Sequence, residues 1–275
     1  MKIIRVFPRR TSHIPEDDLV FIGAPPMMRP EADEVHVSCT FTWDKPTAER
    51  LRDAWAQYYP VVRIGGPAFD DPGKEFTPGM YVKMGIVYLS RGCNNQCPWC
   101  LAWQREGKIK EGKIVEGNNI QDNNLFQCND DYIDSALDML SAQHHVILAG
   151  VEAIRIKQRW ADRIRGLRLY QIFVAADTPQ AIKPVRKALK LMTLPRDKVR
   201  CYVLLKYNPD ETISDATERL IDVWHAGAIP FAQLYQPPEV KRIEYSKEWR
   251  DLARRWSRPA IIKSLMSASL QKDRK

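Results

Sequence analysis

Apolar positions in the first part of the chain come in short runs. Residues 2–7, 19–22, 35–41 and 61–64 are runs of strand length. Between the last two, Asp44-Lys45-Pro46 predicts a helix start, with a capping carboxylate and an early proline. Ala48, Leu51, Trp55 and Tyr58 then recur at helical steps and form one apolar stripe. Strand, helix and strand, closed by Gly65-Gly66-Pro67, predict a small α/β unit. A loop rich in glycine, proline and charge (69–79) follows, so the first domain is expected to span residues 1–79.

From Met80 onward strand and helix patterns alternate. Residues 82–90 form an apolar strand ending at Arg91-Gly92, and 113–121 a weaker one. Residues 146–149, 169–176, 199–206 and 228–235 supply four more. Asn129 is placed to cap a helix carrying Ile133, Ala136, Leu137 and Leu140 on one face. Thr178-Pro179 opens another, with Ile182, Val185, Leu189 and Met192 inward and a kink expected at Pro184. Leu220, Ile221 and Trp224 mark a third, stopped at Gly227. Six strand–helix pairs in series predict an α/β fold with a parallel sheet, open or curled into a partial barrel, over residues 80–260. Residues 261–275 are left as a basic C-terminal tail.

Composition narrows the class. The chain has 275 residues, 44% hydrophobic and 28% charged, as in ordinary globular proteins. Arg9-Arg10 is followed by His13, Glu16, Asp17 and Asp18 where a signal peptide needs an apolar stretch, and no run approaches a membrane span. A cytoplasmic protein without membrane contact is expected. The formal net charge is +8, and residues 241–275 hold 11 Lys or Arg against 4 Asp or Glu, which is most of the surplus. That basic end is either a solvated helix face or a contact for phosphate-rich partners, with nucleic acid as one possible substrate.

The six cysteines are Cys39, Cys93, Cys97, Cys100, Cys128 and Cys201. Three lie within eight residues, poor spacing for disulfides and good spacing for a metal site in a reducing compartment. The stretch Arg91-Gly92-Cys93-Asn94-Asn95-Gln96-Cys97-Pro98-Trp99-Cys100 has the form C-x-x-x-C-x-x-C and directly follows a strand. Ligands of parallel α/β folds bind at the carboxyl ends of strands. Three thiolates can hold three irons of a 4Fe–4S cluster, which normally takes four, and a missing fourth leaves an open coordination position of the kind catalysis uses. Zinc, a redox-active Cys97-Pro98-Trp99-Cys100 pair, and buried cysteines without ligand are the rival readings.

At these residues the sequence resembles the radical S-adenosylmethionine superfamily, whose cysteine signature has this spacing with an aromatic residue before the last cysteine, here Trp99. It is also similar to small radical proteins of phage and bacterial genomes. The resemblance implies a partial (β/α)6 TIM-like barrel and a 4Fe–4S cluster on Cys93, Cys97 and Cys100. S-adenosylmethionine would chelate the open iron. One electron, from a flavodoxin- or ferredoxin-type donor, would cleave it to a 5′-deoxyadenosyl radical that abstracts a hydrogen atom from an unknown substrate.

Further positions follow from that resemblance. The family's Gly-Gly-Glu is matched in part by Ala149-Gly150-Val151-Glu152, which makes Gly150 and Glu152 candidates for the methionine amino group. Gln121-Asp122-Asn123-Asn124 resembles an Asp-x-Asn strand end, which offers Asp122 and Asn123. Asp177 takes the place of a polar residue facing the ribose. Lys206, in a stretch lacking the family's glycines, is a candidate for the cofactor carboxylate. Gln233, Tyr235 and Gln236 stand at the expected barrel mouth; Cys39 is expected in a core, and so are Cys128 and Cys201, with a hydrogen donor or a fourth cluster ligand as their alternative role. The N-terminal segment resembles a shortened cobalamin-binding domain. His36 lacks the flanking Asp and Gly of that signature, so the segment is expected to cap the barrel rather than bind cobalamin. The alternative to an enzyme is a non-catalytic adaptor that holds zinc or a cluster for shape.

Overall fold

The computed structural model describes residues 1–71, 76–237 and 242–272. The chain divides into two compact units, Met1–Val87 and Tyr88–Lys275, so the division falls past Gly79. Part of the 69–79 loop lies outside the described residues, as do the ends of the basic segment at 241 and 273–275.

In the first unit, β1 (Ile3–Phe7), β2 (Val20–Ile22), β3 (Glu34–Ser38) and β4 (Val62–Gly65) form a parallel sheet in the order β2-β1-β3-β4. Helix α1 (Lys45–Ala56) joins β3 to β4 and buries Ala48, Leu51 and Trp55 against Ile4, Val6, Val35 and Val37. Two expectations fail here. Asp44 makes no side-chain cap, because its carboxylate pairs with Arg9 at 2.5 Å. Tyr58 is exposed beneath the Arg29 guanidinium, and Tyr59 is buried instead: the helix ends at Ala56, and the chain turns before the stripe completes its last step.

The second sheet contains β5 (Ile86–Val87), β8 (Asn119–Ile120), β9 (Val146–Leu148), β10 (Leu169–Ala175), β11 (Val199–Leu205) and β12 (Ile229–Leu234), ordered β12-β11-β10-β9-β8-β5. The pairs from β8 to β12 are all parallel. A small antiparallel ladder joins β6 (Ser90–Arg91) to β7 (Lys110–Glu111). The expected strand 82–90 is therefore two short pieces. Leu89 and Ser90 turn inward to bond Asp122, and the cysteine loop is folded back as the tip of the β6–β7 pair. The expected strand 113–121 keeps only Asn119–Ile120.

Helices α2 (Ala102–Glu106), α3 (Asp130–Ser141), α4 (Gln158–Gly166), α5 (Ile182–Met192), α6 (Ile213–Ala226), α7 (Lys247–Trp256) and α8 (Pro259–Lys272) complete the unit. Asn129 caps α3 as expected, accepting from Tyr132 N–H at 2.9 Å, and Gly227 ends α6 in the left-handed region. Pro184 does not kink α5. Residues Pro179–Ala181 form a separate 3-10 turn, so Pro184 sits in the first turn of α5, where its missing N–H is not needed. Residues from 261 on belong to α8 rather than to a loose tail, as far as 272. The chain is thus α/β with parallel sheets. Among the described residues no helix is long and apolar enough to cross a membrane.

Candidate functional site at the carboxyl edge of the parallel sheet

Segments that follow successive parallel strands meet at one sheet edge. The cysteine loop comes first. Its entry, Gly92, has φ of +81°, and a Cβ there would stand 2.3 Å from the Lys108 carbonyl oxygen, so only glycine lets β6 lie this close to the return strand. Cys93 N–H donates to Gly107 O at 3.0 Å, and Cys100 N–H to Cys97 O at 3.0 Å, which closes a turn around Pro98 and Trp99. The Trp103 indole N–H donates to Cys97 O at 2.9 Å.

All three thiols are half-buried. The Cys93 sulfur receives Asn95 N–H at 3.4 Å and the Asn124 amide at 3.6 Å. Burial raises the Cys100 thiol, while the N–H groups of Ala102 and Trp103 work in the other direction. Cys97 is pushed up to about 11, first by burial, then by the neighbouring charges of Cys100, Cys93, Asp177 and Glu152. Three thiolates with two carboxylates nearby are mutually repulsive, so the site favours a positive centre among them. Among the described residues, no three His, Cys, Asp or Glu side chains are gathered as the ligands of a single metal ion would be.

Glu152, just after β9, ties the loop to the sheet. Its carboxylate accepts from the side-chain amides of Asn95, Asn124 and Gln127, each at 2.9 Å, and from Arg155 at 3.0 Å. Burial alone would raise its pKa. The amides of Asn95, Gln127 and Asn124, with the charge of Arg155, outweigh that and hold it below the usual carboxylate range. Gln127 also accepts from Asn94 N–H at 2.6 Å. Glu152→Ala leaves these donors without their shared acceptor and is expected to cost about 2 kcal/mol in chemical denaturation. Because the folded state lowers this pKa, the stabilisation is present above the ordinary carboxylate value. It is lost as pH falls through the lowered one, so the gap between wild type and variant should close in acid.

The other expected site residues divide. Asp122 is buried, and its carboxylate is occupied by Leu89 N–H and Ser90 N–H, both at 2.7 Å, and by the Ser90 hydroxyl at 2.6 Å. Burial pushes it up to about 6 against those hydrogen bonds. Asn123 Oδ1 accepts from Gly92 N–H at 3.1 Å. Both therefore position the cysteine loop instead of facing outward to a cofactor. Gly150, with φ of +66°, lets the end of β9 pass directly over the Asp122 carbonyl.

Asp177, after β10, accepts from Leu204 N–H at 3.0 Å, and the Trp99 indole N–H faces its carboxylate. Burial raises this carboxyl, opposed by Leu204 N–H, Arg219 and Trp99. Trp99 also meets Tyr207 edge-on at 4.9 Å, and Tyr207 meets Tyr235 at 5.0 Å, an aromatic row from the cysteine loop to the ends of β11 and β12. Lys206 does not reach toward the cysteines. Its backbone has φ of +60°, and its ammonium turns back to the carbonyls of Pro209 and Glu211 and lies over the Trp249 ring. Gln233 is exposed, and Gln236 Oε1 accepts from Ile243 N–H at 3.1 Å. Cys128 is buried beside Ser90, Cys201 inside β11 and Cys39 in the first unit's core.

Three residues of the site were missed in the sequence. Gln127 lies in a 3-10 turn with no periodic signal. Asn124 was visible as part of a polar strand end, but strand alternation could not say which amide turns toward Cys93. Its Oδ1 is buried and makes no hydrogen bond. Arg219, 5% exposed, bonds the carbonyls of Asp177 and Leu204 and pairs with Glu211. A charge on the buried stripe of α6, between Ala216 and Leu220, was the available signal.

No protein-family model matches the chain, and no curated protein matches it. The functional reading therefore stands on the site itself.

Proposed function

We propose that the chain is a radical S-adenosylmethionine enzyme that uses the edge loop of the second unit as its cluster site. The observation that carries this reading is the set of three half-buried thiols on one loop at the carboxyl edge of parallel strands, with N–H groups directed at the sulfurs of Cys93 and Cys100. The donor set fits a 4Fe–4S cluster: thiolates suit iron, and a cube spreads its ligands over separate corners, whereas zinc would draw them to one point. Cys93, Cys97 and Cys100 would hold three irons. The buried, unpaired Oδ1 of Asn124 is an acceptor beside Cys93, suited to the ammonium group of an amino-acid cofactor. Such a cluster would supply the single electron for reductive cleavage of S-adenosylmethionine and so the means of hydrogen-atom abstraction. Glu152, Asp122 and Asn123 hold the loop in register, and the Trp99–Tyr207–Tyr235 row walls one side against water.

The six-stranded sheet adds strands in one direction without reversal, as expected of a partial (β/α)6 barrel and not of a doubly wound sheet. A flavodoxin- or ferredoxin-type electron donor and a cytoplasmic setting go with the proposal. The test is anaerobic incubation of the dithionite-reduced, reconstituted full chain with S-adenosylmethionine. Formation of 5′-deoxyadenosine supports the enzyme. One zinc per chain and no cofactor cleavage would instead make it the adaptor.

A further inference from the structure

Helix α7 has two opposite faces. Trp249, Leu252 and Trp256 are buried. Lys247, Arg250 and Arg254 recur at steps of three and four, are exposed, and lie roughly opposite that buried face. Arg255 on α7 and Arg258 just past its end add positive charge on one side of the stripe, and the exposed acidic Asp251 lies one turn from Lys247, Arg254 and Arg255, with Glu248 beyond it. None of these five cations makes an ion pair or side-chain hydrogen bond among the described residues, although Lys263 on the next helix pairs with Asp197 at 2.6 Å. Asp251 offsets part of the repulsion among these cations, and the remaining positive excess is what a polyanion would neutralise.

The helix is anchored beside the sheet edge described above. The Lys206 ammonium lies 5.4 Å from the Trp249 ring centre, and the Tyr245 hydroxyl donates to the Tyr235 carbonyl at 2.5 Å just before α7 begins. Tyr235 is the end of the aromatic row that starts at Trp99.

We propose that the exposed stripe of α7 binds the sugar–phosphate backbone of a nucleic acid strand. Residues spaced one turn apart rise about 5 Å per step, close to the separation of successive phosphates along a strand, so Lys247, Arg250 and Arg254 can each take one. No base-reading side chain accompanies the stripe, so binding is sequence-tolerant. The surface does not depend on the cluster chemistry.

The test is fluorescence anisotropy of labelled oligouridine and oligothymidine with the full chain, without S-adenosylmethionine. Three phosphate contacts predict a slope of about −2 in log affinity against log salt, or roughly 20-fold weaker binding between about 50 and 200 mM. The triple variant Lys247→Gln/Arg250→Gln/Arg254→Gln should bind about tenfold more weakly and flatten the slope, with an unchanged denaturation midpoint. The double variant Lys183→Gln/Lys190→Gln on α5 should bind as wild type. Affinity that is independent of salt, or equal in the triple variant, overturns the proposal. So does competition by polyglutamate as strong as by oligouridine, which would assign the stripe to an acidic protein. Unequal affinity for the two oligonucleotides distinguishes RNA from DNA as the natural strand.

Discussion

Replacing Cys97 by alanine is expected to abolish S-adenosylmethionine cleavage completely while leaving the second unit folded. Cys97 is the middle thiol of the loop, and the charges of Cys93, Cys100, Asp177 and Glu152 all bear on it. Two remaining cysteines cannot hold a cluster that needs at least three protein ligands and a fourth position for the cofactor. The side chain is half-buried and small, and Trp103 bonds the Cys97 carbonyl, which the substitution keeps, so the loop retains its turn. Denaturation should shift by no more than about 1 kcal/mol. Cys128→Ala is the contrasting variant: that thiol is pushed up to about 11 mainly by burial, beside Ser90 and outside the cysteine loop, and cleavage should persist. Product formed by Cys97→Ala at wild-type rate would remove the proposed role of the loop.

Gly150→Ala carries the second large effect. A Cβ at this position would stand 2.2 Å from the Asp122 carbonyl oxygen and 3.0 Å from the carbonyl carbons of Asp122 and Asn123. These are backbone atoms, so no rotamer relieves the clash. The left-handed φ of +66° adds about 1 kcal/mol of strain for a residue with a side chain. To make room, the end of β8 must move. Asp122 and Asn123 then lose their hold on Leu89, Ser90 and Gly92, the residues that lead into Cys93. We expect a loss of about 3 kcal/mol or more in urea denaturation and a matching fall in bound iron. A variant within about 0.5 kcal/mol of wild type would show that the strand ends are not packed as described.

Much of the arrangement was legible in the sequence because local rules agree with the global ones there. The stripe Ile133, Ala136, Leu137 and Leu140 and its Asn129 cap specified α3. Long apolar runs specified β10, β11 and β12, whose burial on the sheet reinforces their propensity. The shorter strands were overestimated. Residues 82–90 are mostly apolar, yet tertiary hydrogen bonds to Asp122 and the β6–β7 pairing take the end of that run elsewhere, while 113–121 has only Ile114, Val115 and Ile120 to support a strand.

The three cysteines could be picked out from their spacing after a strand, and Glu152 and Asp177 only through the family resemblance; the parallel order then brings those strand ends together. Which way a side chain turns at a strand end is set by its neighbours. Lys206 was expected to face the cofactor, but its left-handed backbone points the ammonium into its own turn. Asp122 looked like a cofactor contact for the same reason and is instead spent on two backbone N–H groups. Asn124 and Gln127 could not be singled out, since only the fold brings them to Glu152.

The most direct test of the central claim is the iron and acid-labile sulfide content of the anaerobically reconstituted full chain. About four irons and four sulfides per chain, falling to near zero in Cys97→Ala, is the predicted result. Stoichiometric zinc, or iron that binds equally to both proteins, would contradict it.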